Sequence, residues 1–92
     1  MRRVFNYPLV LKQQQEIEMP AGAKILSVGL QSGTIQLWAL EDDSMEHATV
    51  FIELYGTGHS IPTGPGQKEF IGTVTNGSLV WHIFERVDAD RL

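Results

Sequence analysis

The hydrophobic positions along the chain fall in short runs with a period of two, which is typical of β-strands. Val, Ile, Leu, Phe, Tyr and Trp alternate with polar residues, and Gly, Pro, Asn and Asp separate the runs at intervals of roughly 8–12 residues. No convincing amphipathic helical period appears. The predicted strands cover residues 4–11, 14–19, 24–31, 34–40, 48–55, 69–75 and 79–85.

The alternation within each run also predicts which side chains face the core. The expected inner residues are Phe5, Tyr7 and Leu9 in the first strand, Gln15, Ile17 and Met19 in the second, and Leu26, Val28 and Leu30 in the third. The fifth run is nearly continuously apolar, which is typical of a central strand covered on both faces. Its faces are expected to carry Val50, Ile52 and Leu54 on one side and Phe51 and Tyr55 on the other.

Three turns are predicted from local chemistry. Pro20 in the stretch MPAG suits the second position of a type I or II turn, and a hairpin between the second and third strands is expected there. Ser32-Gly33 has the spacing of a two-residue hairpin loop. Asn76-Gly77 is the strongest hairpin signal, because both residues tolerate a positive φ.

The segment EDDSMEH, residues 41–47, is the most acidic part of the chain and has no periodicity. Such a segment is typical of a solvated loop, with one helical turn at most. We therefore expect its carboxylates, including the adjacent Asp42 and Asp43, to lie in solvent rather than to act as an acid–base pair.

The predicted fold class is all-β, with about seven short antiparallel strands in a small sandwich or partly closed barrel. The 92 residues predict a single domain, 1–92, ordered over about 3–86 and ending in a frayed acidic tail, 87–92. Exposed edges, and apolar residues on both faces of 48–55 and 79–85, exceed what one small core needs, so a homo-oligomer is expected.

Composition narrows the function classes. The chain has no cysteine, which disfavours a disulfide-stapled secreted scaffold and favours the cytoplasm. No apolar run approaches the about 20 residues of a membrane span, so no membrane role is expected. A net charge of −4 with scattered basic residues makes nucleic acid an unlikely partner.

Several stretches together carry a family resemblance: NYPLVL, IEMPAGAKILSVGLQSG, LWAL, YGTGH, EFIGTV and GSLVWHIFE, which cover most of residues 6–85. In these the chain resembles a family of small uncharacterised bacteriophage and prophage proteins, with PAGAKILSV and YGTGH as the specific elements. The resemblance implies a β-rich phage accessory protein in the host cell cytoplasm. It brings no activity that can be carried over, and the chain departs from the expected pattern at residues 60–67.

The stretch YGTGH, which opens a loop rich in glycine and proline, is the main candidate for chemistry. Its amides are not crowded by bulky side chains, and two hydroxyls and an imidazole accompany them, a combination suited to an anion or phosphate. It lacks the Lys-Ser/Thr ending of a P-loop and a following helix, so a wide turn needing positive φ explains it as well. The candidate ligand-binding residues are Tyr55, Gly56, Thr57, Gly58, His59 and His82.

His82 and the remaining polar residues leave alternatives open. Within LVWHIF, His82 suits either a neutral histidine hydrogen-bonded at a partly buried face or a base beside the glycine loop. Trp38 and Trp81 suit core packing more than stacking on a ligand. No ligand spacing for a metal, no nucleophile elbow and no cofactor fingerprint is found, so no catalytic residue, metal or cofactor is predicted.

The leading hypothesis is a non-enzymatic binding module of phage origin that captures a small phosphorylated ligand, such as a nucleotide immune signal. One alternative is an inhibitor of a host protein, acting through a strand edge or the acidic segment. Another is a minor virion or assembly component, which needs only the oligomer.

Overall fold

The computed structural model describes residues 1–62 and 67–87, and within them it is all-β, as predicted. Residues 63–66 of the predicted loop and 88–92 of the predicted tail lie outside this part. All strand pairs are antiparallel. The strands are β1 (Arg2–Pro8), β2 (Gln14–Pro20), β3 (Lys24–Gln31), β4 (Thr34–Asp42), β5 (His47–Gly56), β6 (Gln67–Asn76) and β7 (Leu79–Val87).

The strands form two sheets packed face to face, a small sandwich rather than a closed barrel. One sheet has the order β1-β4-β3 and the other the order β2-β5-β7-β6. Apolar side chains from both inner faces interdigitate, as expected of a sandwich core. The buried core residues are Leu9, Met19, Ile35, Leu37, Ala39, Val50, Ile52, Leu54, Val74 and Ile83.

The predicted solvated loop at residues 41–47 is confirmed for the exposed turn 43–46, but strand β4 extends through residues 41–42 and β5 begins at residue 47. The alternation of β4 continues past Leu40, and Glu41 is only 2% exposed, on the same face as Ile35, Leu37 and Ala39. The end of this strand is not evident from the sequence, because the neighbouring Asp residues lower the local β-propensity. A buried carboxylate needs partners, and β1 supplies them.

Strand β3 departs from simple alternation because it carries a β-bulge. Its pairing with β4 shifts between Ile25 and Ser27, which leaves Leu26 as the extra residue. The predicted inner set of Leu26, Val28 and Leu30 is therefore wrong at its first member, and its last member, Leu30, is 43% exposed. Leu26 is 46% exposed, and Ile25 packs against the core with Val28 instead.

Two of the three predicted hairpins form, with different turn chemistry. Ser32 and Gly33 have φ of 51° and 79° and connect β3 to β4 as predicted. In the β6–β7 hairpin, Asn76 pairs with Leu79, so the turn residues are Gly77 and Ser78. The expectation of positive φ at Asn76 is wrong, since only Gly77, at 65°, adopts it.

The stretch MPAG makes a corner between the sheets instead of the predicted hairpin. Pro20 is the last residue of β2, and the Ala23 amide donates to the Pro20 carbonyl at 3.2 Å. Gly22 takes the positive φ, 81°, that a type II turn needs at its third position. The chain thereby leaves one sheet at β2 and enters the other at β3.

The sheets approach each other closely where β3 lies against β6. A Cβ atom added to Gly72 would lie 2.9 Å from Cγ1 of Val28. Gly72 therefore lets the two strands meet on this side of the sandwich. The other side, with β1 and β2 as its edge strands, has no such closure among the described residues.

We predict that Gly72→Ala lowers the free energy of unfolding by about 1–3 kcal/mol, because the stiff side chain of Val28 cannot move aside without repacking. Urea denaturation of Gly72→Ala, Val28→Ala and the double variant measures this. The double variant should lose less stability than the sum of the losses in the two single variants. Strict additivity would contradict the contact.

Candidate functional site

The YGTGH stretch forms a tight turn at the end of β5 that closes on itself. The His59 amide donates to the Gly56 carbonyl at 3.0 Å, and Gly58 has a φ of 87°. The Gly56 amide donates to Nδ1 of His59 at 3.2 Å. Two of the amides expected to meet an anion are thus hydrogen-bonded within the turn.

The structure also brings His82 to this turn. Tyr55 and His82 are paired residues of β5 and β7. The two ring nitrogens of His82 are hydrogen-bonded to threonine hydroxyls, Nε2 to Thr57 at 2.8 Å and Nδ1 to Thr73 at 3.1 Å. The arrangement matches the alternative of a hydrogen-bonded histidine at a partly buried face, and it ties the turn to β6.

A cleft of about 200 Å³ lies beside the turn, between it and the β6–β7 hairpin. Its floor includes Trp81, whose buried Nε1 has no hydrogen-bond partner among the described residues. Gly56, Thr57 and His59 form one wall, whereas Tyr55 is 1% exposed and lies beneath the surface. Among the described residues, no lysine or arginine lines this cleft.

A second cluster, which the sequence reasoning missed, lies on the outer face of the β2-β5-β7-β6 sheet. Glu53 is 2% exposed, and its Oε1 accepts hydrogen bonds from the Tyr55 hydroxyl at 2.7 Å and from Nζ of Lys68 at 2.9 Å. The signal that would have found it is a glutamate within the apolar run of β5. A carboxylate buried in a central strand requires a cation nearby.

The environment of this cluster shifts the pKa values of Glu53 and Tyr55. Burial alone raises the pKa of the Glu53 carboxyl, but the hydrogen bonds from Lys68 and Tyr55 outweigh it, and the pKa lies below its ordinary value. Burial, followed by the hydrogen bond to Glu53, raises the pKa of Tyr55 to about 12. At neutral pH, Glu53 is therefore ionised and the tyrosine hydroxyl keeps its proton.

A groove of about 340 Å³ runs beside Glu53. The guanidinium carbon of Arg86 lies 4.8 Å from the ring centre of Phe51, a cation–π contact. Lys12 and Gln14 line the same groove, as does Glu16. The groove therefore combines an aromatic ring, two cations and amide groups, which the turn at Gly56 does not.

The other buried carboxylate, Glu41, belongs to the first sheet. Its Oε1 accepts a hydrogen bond from the Tyr7 hydroxyl, and its Oε2 accepts from Nη2 of Arg3 at 3.2 Å. Burial, followed by the hydrogen bond to Glu41, raises the pKa of Tyr7 to about 12. These contacts tie β1 to β4 and point no free group outward.

The adjacent Asp42 and Asp43 are also engaged. The Met1 amino group lies 3.2 Å from Asp42 and 2.8 Å from Asp43. Hydrogen bonds from Ser44 and then from the amino group lower the pKa of Asp42 to about 2.

Within the described residues, no three His, Asp or Glu side chains are grouped to hold a metal ion. Nor does that part of the chain contain a helix long and apolar enough to cross a membrane.

Comparisons with known proteins give one kind of information, a family. A family model described as a domain of unknown function, DUF7352, matches residues 1–91. No curated protein and no solved structure matches the chain.

We predict that Glu53→Gln lowers the free energy of unfolding at pH 7 by about 1–3 kcal/mol, because Lys68 and Tyr55 lose a charged acceptor. Since the pKa of Glu53 is lowered on folding, its contribution is complete above its ordinary value of 4.5 and is lost as the pH falls below it. Urea midpoints measured between pH 3 and pH 7, with the exposed Glu46→Gln as control, test this. An unchanged pH dependence in Glu53→Gln would contradict the assignment.

Proposed function

The chain belongs to the DUF7352 family, and we propose that it is a non-enzymatic binding module that captures a small phosphorylated ligand. In this proposal it is a phage accessory protein in the host cytoplasm, and a nucleotide immune signal is the type of ligand that fits. The phage setting comes from the sequence resemblance. The ligand class comes from the chemistry of the surface.

The observation that carries the proposal is the groove beside Glu53. Lys12 and Arg86 provide positive charge for a phosphate, and a bond to a charged group contributes about 1.5–3 kcal/mol. Arg86 already lies over the Phe51 ring, so in this proposal a base stacks on the guanidinium–ring pair. The negative charge of Glu53 is offset by Lys68, 2.9 Å away. Glu16 also lines the groove and opposes an anion, against the two positive charges of Lys12 and Arg86.

The turn at Gly56 is the second candidate seat for the same ligand. Thr57 and His59 line its cleft and offer a hydroxyl and an imidazole. A neutral His59 that accepts at Nδ1 carries its proton on Nε2, which makes that atom a donor. Among the described residues, no cation lines this cleft, and the amides of Gly56 and His59 are already hydrogen-bonded. This site therefore supports a phosphate less well than the groove does.

The alternative class, capture of a protein, is favoured by the apolar side chains that β1 exposes. Val4 is 57% exposed and Phe5 is 41% exposed. The acidic segment supports this alternative less, because Asp42 and Asp43 already bind the Met1 amino group and Ser44. A role as a minor virion or assembly component also rests on the exposed edge.

A panel of mononucleotides, dinucleotides and cyclic oligonucleotides tests ligand capture by thermal shift and calorimetry. A ligand present at 100 times its dissociation constant should add about 2.7 kcal/mol of apparent stability. For the ligand that binds, Lys12→Ala should weaken affinity about tenfold or more. Lys24→Ala, on the other sheet, is the matched control and should leave affinity unchanged.

The His59→Ala variant distinguishes between the two candidate binding sites, the groove beside Glu53 and the turn at Gly56. If the ligand lies in the groove, this variant binds normally; loss of affinity in His59→Ala with Lys12→Ala unaffected would move the seat to the turn. Absence of binding by every phosphorylated compound, together with stoichiometric recovery of one host protein, would replace ligand capture by protein capture.

A further inference from the structure

On the open side of the sandwich, β1 and β2 are the edge strands. The outer edge of each pairs with no strand among the described residues. An unpaired edge offers a row of free N–H and C=O groups to another chain. The two edges differ in which residues present these groups and in what surrounds them. That difference identifies one of them as an interface.

The direction of the backbone groups on β1 follows from two hydrogen bonds just beyond its ends. The Leu9 amide donates to the Ile35 carbonyl at 2.8 Å, and the Asp43 amide donates to the Met1 carbonyl at 3.0 Å. Because these groups alternate along an antiparallel strand, odd-numbered residues of β1 face β4. Arg2, Val4 and Asn6 therefore turn their N–H and C=O groups outward.

The same reasoning applies to β2, and it gives an edge of opposite character. The Leu54 amide donates to the Gln13 carbonyl at 3.0 Å, so the even-numbered residues face outward. These include Glu16 and Glu18, both exposed. Charged residues along an edge discourage pairing with a second strand, so β2 is protected.

The edge of β1 is apolar at its centre and carries its charges, Arg2 and Arg3, at one end, whereas the edge of β2 is acidic along its middle. Val4 on one face and Phe5 on the other are 57% and 41% exposed. Val10 and Leu11, which follow the strand, are 56% and 58% exposed. Both faces of β1 therefore offer apolar surface next to free backbone groups.

The geometry points to an antiparallel pairing of β1 with β1 of a second copy of the chain, with Phe5 on the two-fold axis. In this register Val4 of each copy exchanges two hydrogen bonds with Asn6 of the other. The Arg2 amide donates to the Pro8 carbonyl, and Pro8, which has no N–H, lies where the ladder ends. The three-stranded sheets thereby join into one continuous sheet.

Charge selects the antiparallel direction, and a second copy suits this edge because its own Phe5 supplies the aromatic partner opposite Phe5. Pairing in parallel would set Arg2 and Arg3 beside their own counterparts, which repel. In the antiparallel pair the Cα atoms of the two Arg3 residues lie four residues apart along the strand, about 14 Å, and each guanidinium is paired with Glu41 of its own chain at 3.2 Å. Arg3 then meets Tyr7 of the other copy, an uncharged partner.

Sedimentation at high micromolar concentration tests the interface. The expected mass is twice the chain mass of 10.3 kDa. Val4→Pro removes an outward N–H without touching a bond to β4 and should give the single-chain mass at the same concentration, with the circular dichroism spectrum kept. Glu16→Pro is the matched control on β2, and it should remain a dimer. A single-chain mass for the unmodified protein overturns the inference.

Cross-linking tests the register of the pairing, and this test does not depend on whether Val4→Pro folds. The chain has no cysteine, and residues facing each other in a non-hydrogen-bonded pair have Cα atoms about 4.5 Å apart, within disulfide range. Phe5→Cys should form a covalent dimer under mild oxidation, whereas Glu16→Cys should not. A dimer with no Phe5→Cys cross-link overturns the pairing. Since the interface uses neither the groove nor the turn, its failure leaves ligand capture to be judged separately.

Discussion

The close approach of β3 and β6 determines how the sandwich is closed and where it stays open. Gly72 removes the side chain that would strike Val28, so the sheets meet on that side. A three-stranded sheet then faces a four-stranded one, with the corner at Gly22 carrying the chain from one to the other. On the far side β1 and β2 are the edge strands of different sheets and do not pair within the described part of the chain, and β1 extends with both of its faces partly exposed.

Each sheet contains a buried carboxylate held by one tyrosine and one cation. Glu41 is held by Tyr7 and Arg3, and Glu53 by Tyr55 and Lys68. Removing one member of such a set leaves a buried charge without its partner, which is strongly destabilising, whereas the intact set adds less. Through these contacts β1 is fixed to β4 and β6 to β5, and the groove beside Glu53 keeps its shape.

Period-two alternation was enough to predict the all-β class, the seven strands and the Ser32-Gly33 turn, because each depends on local sequence. The errors arise where a distant contact decides. Glu41 continues a strand because Arg3 and Tyr7 stabilise its charge, and Leu26 turns outward because β4 fixes the pairing on either side of a bulge. The residues of the YGTGH turn and His82 come together, but the two cations of the groove come from β7 and from the loop before β2, so no short motif indicates them.

The central claim is that the open side of the sandwich receives a second copy at β1. Amide hydrogen exchange, followed residue by residue by NMR at low and high protein concentration, tests it most directly. The Val4 and Asn6 amides face outward, so their exchange should slow as concentration rises, while Tyr7, bonded to β4, and Glu16, on the edge of β2, should not change. Exchange at Val4 and Asn6 that is fast and independent of concentration would contradict the claim.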